Sequence, residues 1–212
     1  MYPQGIIMVQ DLARECCLGR GRPLKTTKAN LASRAMEIYW FQGLSKVSLN
    51  EMSRQLDLAK PSIYRTFGSG DGLMAAALSS YSPFSECLAL LEAKKSLKET
   101  LDILFDEVIK LTSEHPEGCL LLQTQRFKDQ LGDETSKVLN DYEKKIYQKI
   151  INLLKMAIVT GEVQENLKLD VAANLILAQF GNIQWALSIG LSQRSTKEVT
   201  KLALQSLTNK VL

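Results

Sequence analysis

The chain has 212 residues, 45% of them apolar and 23% charged, which excludes a disordered or collagen-like polymer and leaves room for one core or two small ones. No window approaches eighteen consecutive uncharged apolar residues, so no transmembrane helix is expected, and the N-terminus lacks the pattern of a secretory signal. The four cysteines form no CxxC pair and there is one histidine, so no metal cluster and no cofactor are expected, and a reducing cytoplasm is the default setting.

The net charge of +3 is unevenly placed. From Arg20 to Arg65 nine Lys/Arg stand against three acids, giving +6 there and −3 over the remainder. A basic N-terminal third on a faintly acidic body suits a phosphate-binding module joined to something else. A solvated face is the plainer reading of the same excess.

Residues 1–22 show no periodicity and end in GRGRP. Two readings stand: a disordered arm, or a basic arm that touches DNA. A helix is expected from about Lys25 to Gly43, with Leu31, Ala35, Ile38, Tyr39 and Trp40 or Phe41 as its stripe, Thr26 or Thr27 as its cap and Gly43 as its stop. Ser48 to Phe67 reads as two short helices about a tight turn. Leu49, Met52 and Leu56 give the first an apolar face, and Ser48 with Glu51 has the spacing of a capping box. The second starts near Lys60 with Pro61 in its first turn, points Ile63 and Phe67 inward, and leaves Lys60, Ser62, Tyr64, Arg65 and Thr66 outside. Polar, basic and aromatic groups on a free helical face suit the second helix of a helix-turn-helix. GSGDG follows as a turn, and LMAAALSSY as a helix.

The rest is helical in pattern. Leu97 to Leu111 marks an amphipathic helix ending near His115-Pro116-Glu117-Gly118, where His115 reads as a surface turn residue, with a ligand contact as the alternative. CLLLQTQRF reads as a mostly buried helix. A long helix runs from about Asp133 to Thr160, stopped by Gly161. Leu169 to Gly190 is apolar nearly all round, so one side is expected to meet its own core and the other a second copy through Leu175, Phe180, Ile183, Trp185 and Ile189. A last helix is expected from about Thr196 to Lys210. Phe84, Phe105, Tyr142, Met156, Phe180 and Trp185 are core candidates, some of which also suit the wall of an inter-helix cavity, with Gln123, Gln125 and Gln179 as its polar contacts. No catalytic triad order, phosphate loop or HExxH appears, so no enzyme is expected.

The run Gly21 to Tyr81 resembles the N-terminal domain of the TetR family of transcriptional repressors. Trp40-Phe41-Gln42-Gly43, Val47-Ser48-Leu49, Leu58-Ala59-Lys60-Pro61-Ser62-Ile63-Tyr64-Arg65-Thr66-Phe67 and Gly68-Ser69-Gly70-Asp71-Gly72-Leu73 carry the likeness. Three positions depart from the family pattern. Asp57 stands for a turn glycine, and Ala59 for a capping Ser or Thr, whose work Asp57 is expected to share. Gly70 stands for a phosphate-binding lysine, so a shallower salt dependence is expected.

The resemblance implies an all-α homodimer: an arm over 1–22, a helix-turn-helix domain over 23–67 and a ligand-binding and dimerisation domain over 68–212. It implies a palindromic double-stranded operator, an unidentified small-molecule effector and no membrane. Groove contacts are expected from Lys60, Ser62, Arg65 and Thr66, beside Pro61. Phosphate contacts are expected from Tyr64, Ser48 and Lys25 or Thr26. His115-Pro116-Glu117-Gly118-Cys119-Leu120 resembles a P-x-G-C-L segment found in part of the family, and some relatives use a cysteine near it to sense electrophiles or oxidants. Cys119 therefore has two readings, a small buried hydrophobe or a sensor thiol at a helix start. A helical protein-interaction module that reads no DNA is the alternative for the whole chain, and a small-molecule enzyme a distant third.

Overall fold

The computed structural model describes residues 27–93, 95–115 and 117–207, and these form ten α-helices with no strand. Helix α1 (Lys28–Gln42) starts where the Thr27 hydroxyl accepts the Asn30 N–H and stops where Gly43 takes φ +91°, its N–H bonding Tyr39 O. It buries Leu31, Ala32, Ala35, Met36, Tyr39 and Trp40. Of the two rings at its end Trp40 is the core residue, and Phe41 is half exposed.

Helices α2 (Leu49–Gln55) and α3 (Lys60–Phe67) are the two arms of the helix-turn-helix. Ser48 caps α2 by accepting the Glu51 N–H. Only that half of the expected capping box forms, because the Glu51 carboxylate turns to Arg54 and Gln55 instead. Between the helices Asp57 sits at φ +51°, the left-handed conformation a glycine would take freely. Leu58 N–H bonds Ser53 O and the Ser53 hydroxyl bonds Leu58 O, closing the turn on itself. Asp57 does not cap α3: the helix starts at Ala59 with no side-chain cap, relying on Pro61, which has no N–H to satisfy. The Arg34 guanidinium binds Gln55 O at the end of α2, where a cation meets unpaired carbonyls.

Helix α4 (Gly70–Ser79) is the hub, packing on α1, α3 and α8. The stretch GSGDG is therefore a helix start, with the Ser69 hydroxyl accepting Gly72 N–H. Gly72 has a steric reason: a Cβ there would lie 2.1 Å from Phe67 O. After α4 come α5 (Ser82–Glu92), α6 (Leu97–Glu114), α7 (Leu120–Arg126), α8 (Asp133–Val159), α9 (Leu169–Ser188) and α10 (Gln193–Leu204). The last helix begins three residues before the expected Thr196, because Ser192 is its cap, and Thr196 is buried inside it.

Two hydrophobic clusters hold these helices. The first runs from the helix-turn-helix through Leu73, Leu78, Tyr81 and Phe84 onto Leu120 and Leu139. The second joins α6, the C-terminal half of α8 and α9. Ile146 of α8 borders both. No helix among the described residues is long and apolar enough to cross a membrane.

Candidate DNA-binding face, effector cavity and the corner between them

Ile63 and Phe67 anchor α3 in the core, at 0% and 6% exposure, and Met52 of α2 meets them there. That anchoring turns the opposite side of α3 outward. Pro61, Tyr64 and Arg65 are exposed, while Lys60, Ser62 and Thr66 are half-buried. The Thr66 hydroxyl bonds Ser62 O, and the Arg65 guanidinium reaches the Ser62 hydroxyl at 3.5 Å. Ser48 is exposed at the start of α2. None of these seven candidates is buried. Lys25 and Thr26, and the arm over 1–22 with Cys16 and Cys17, lie outside the described residues.

A cavity of about 200 Å3 opens between α5, α6, α7 and α8. Its wall is aromatic (Tyr81, Phe84, Tyr142, Phe180) and aliphatic (Val108, Leu111, Leu139, Ile146), with Cys87, Cys119, Gln125 and Glu143 as its other chemistry. Phe84 and Tyr142 stack with centroids 4.1 Å apart. Burial pushes the Cys87 thiol up to about 12, so it is protonated at neutral pH. Cys119 is half-buried at the start of α7 and its Sγ accepts the Tyr81 hydroxyl at 3.6 Å.

Of the expected cavity residues, Phe84, Tyr142, Phe180 and Gln125 are in this wall and the others are elsewhere. Met156 is 60% exposed on α8. Phe105 packs on Phe180 and lines a groove between α6 and α10. Gln179 is buried in α9, bonding Leu175 O and Asn182. Gln123 is buried at the seam with the helix-turn-helix, accepting Leu44 N–H and donating to Trp40 O. The sequence offered these as wall or polar-contact candidates but could not say which helix each would face.

Gln123 is one part of a corner the sequence did not announce. Between α6 and α7 the chain turns at His115–Cys119 and grips α1. Trp40 Nε1–H bonds Gly118 O at 2.7 Å, and His115 stacks on the Trp40 ring at 3.7 Å between centroids. Lys46 pairs with Glu117, and Gln184 of α9 bonds Glu117 O at 3.1 Å. His115 is therefore a packed ring and not a simple surface turn residue, and desolvation lowers its pKa below the usual histidine value. Gly118 sits at φ +72°, and a Cβ there would press on Gln184. The Asp71 carboxylate makes a second long-range link, accepting Glu134 N–H at 2.8 Å and the Thr135 hydroxyl. Gly132, which caps α8, has no side chain to do this, and a Cβ there would collide with Asp71.

On α9 the stripe left to solvent is Val171, Ala178, Trp185 and Ile189, continued on α10 by Val199 and Leu202. Ile183, expected in a subunit interface, is fully buried in its own chain, and Leu175 and Phe180 are half-buried against the second core. A helix apolar all round hides which side is spare.

The comparisons with solved structures agree with this architecture. A TetR family transcriptional regulator, CifR, solved with a 26-bp double-strand operator, superposes with TM-score 0.72 at 20% identity, covering 87% of this chain and 99% of that one. The chain has the TetR-family fold. The reduced form of NemR from E. coli gives TM-score 0.73 at 13% identity, over 87% of this chain and 97% of that one. FadR from Bacillus subtilis, in complex with stearoyl-CoA, gives 0.67 at 16%, over 88% and 100%. No protein-family model and no curated protein matches the chain. These likenesses span head and body together.

Proposed function

We propose that the chain is a dimeric DNA-binding transcriptional regulator, a repressor that holds a palindromic operator and is released by a small molecule. The observation that carries the reading is α3: Ile63 and Phe67 anchor it, and its opposite side presents Lys60, Ser62, Tyr64, Arg65 and Thr66. That is the build of a recognition helix for a major groove. The apolar stripe on α9 and α10 supports a two-fold pairing of chains, which a palindrome requires. The cavity in the wall of α8 supports an effector site.

In this reading the effector acts by differential affinity: it binds better to the arrangement that fits DNA worse. Cys119 and Tyr81 stand at the cavity, Tyr81 follows α4, and Gly118, next to Cys119, holds Trp40 of the head. A molecule in the cavity therefore touches both routes to the helix-turn-helix.

A gel shift with the DNA upstream of the chain's own gene tests the binding, and sedimentation tests the pairing. The expected result is a discrete shifted band with a dimer at micromolar concentration. A monomer in sedimentation, with no band at any salt, contradicts the reading and favours a helical interaction module.

A further inference from the structure

The cavity between α5 and α8 is selective in what it leaves unsatisfied. The Tyr142 hydroxyl donates to Leu78 O at 3.3 Å, and the Tyr81 hydroxyl to Cys119 Sγ. Glu143 Oε2 holds Lys128 Nζ at 3.0 Å. Glu143 Oε1 is buried with no hydrogen-bond partner among the described residues. No Lys, Arg or His is among the described residues that line the cavity.

Resting on the effector reading above, we propose that the cavity takes a neutral one- or two-ring aromatic molecule carrying one O–H or N–H donor, and that this donor bonds Glu143 Oε1. Size sets the ring count: an apolar cavity of about 150 Å3 takes benzene, and this one is about 200 Å3. The stacked Phe84 and Tyr142 rings and Phe180 give it aromatic faces to meet a flat ligand. Charge sets the class. An anion would lose its water with no cation in the wall to replace it. A cation gains little, because Lys128 already neutralises Glu143. A neutral donor satisfies Glu143 Oε1, which has no partner among the described residues, and a buried unmet acceptor is costly.

Calorimetric titration of the full chain, without DNA, with 2-naphthol, 2-methoxynaphthalene and 2-naphthoate tests this. 2-Naphthol is expected to bind at least tenfold tighter than the ether, which has the ring and oxygen but no donor, and tenfold tighter than the carboxylate. Glu143→Leu should bring 2-naphthol down to the level of the ether. Lys128→Ala breaks the same ion pair but spares the acceptor, and should keep the preference. Should Glu143→Leu fail to fold by circular dichroism, the comparison of the three ligands on the unaltered chain still decides. Equal binding of all three, tighter binding of 2-naphthoate, no binding of 2-naphthol, or an unchanged preference in folded Glu143→Leu overturns the proposal. A chain that prefers 2-naphthol yet shifts no DNA upholds this inference and sinks the regulator reading. The reverse pair of results does the opposite.

Discussion

Two short stretches of this chain do opposite things with similar residues. Helix α3 keeps its polar groups to itself: Thr66 and Arg65 bond back to Ser62, and the face stays open. The corner at His115–Cys119 commits its groups elsewhere, to Trp40, Lys46 and Gln184. The first has the character of a surface awaiting a partner. The second is a joint within the chain. In the proposed reading recognition and coupling are physically separate, and substitutions in the two places should fail in different ways.

The corner should cost stability first. Trp40→Ala removes a buried indole and its bond to Gly118 O, and is expected to cost about 3–5 kcal/mol in urea unfolding. Trp40→Phe keeps a ring but strands the carbonyl, for about 1–3 kcal/mol. A Trp40→Phe midpoint equal to that of the unaltered chain would show that the indole bond ties nothing. On α3 the effect should fall on binding instead. Arg65→Ala is expected to weaken operator affinity by about 1–3 kcal/mol in an anisotropy titration, while its urea midpoint stays within about 0.5 kcal/mol. A drop in stability with unchanged DNA affinity would erase the contrast.

The corner should also answer to pH through His115. Burial lowers the His115 pKa in the fold, so below its ordinary value the unfolded chain binds the extra proton. Stability contributed by neutral His115 is full above about pH 6.5 and is lost as pH falls through the folded value. His115→Phe should flatten the change in urea midpoint between pH 7.5 and 5. A slope that survives the substitution assigns the proton elsewhere. The smallest effect is expected at Gly70, where a Cβ meets only Leu49 at ordinary contact distance. Gly70→Lys should steepen the salt dependence of operator binding by about one unit of slope, read from titrations at several salt concentrations. An unchanged slope would mean that position lies away from the phosphates.

What could be read in the sequence divides along the same line. Ser48, Gly43, Pro61 and the spacing of Ile63 and Phe67 act within a turn or two, so local pattern announced α1 to α3 and the outward side of α3. Periodicity likewise announced α6 and α8. The joint was not legible, because its bonds span the chain: Trp40 to Gly118 is 78 residues, and Asp71 to Glu134 is 63. Nothing local says that Asp71 will cap α8. In α9 apolar residues occur all round, so only packing could assign Ile183 to the core and leave Trp185 outside. Only tertiary structure shows that one oxygen of Glu143 is buried without a partner among the described residues.

The measurement that bears most directly on the account is selection of bound duplexes from a random DNA library by the purified chain. The account predicts convergence on an inverted repeat whose half-sites lie about one or more helical turns apart, and loss of that convergence with Arg65→Ala. A pool that fails to converge, or one that converges equally with Arg65→Ala, contradicts the claim that α3 reads an operator.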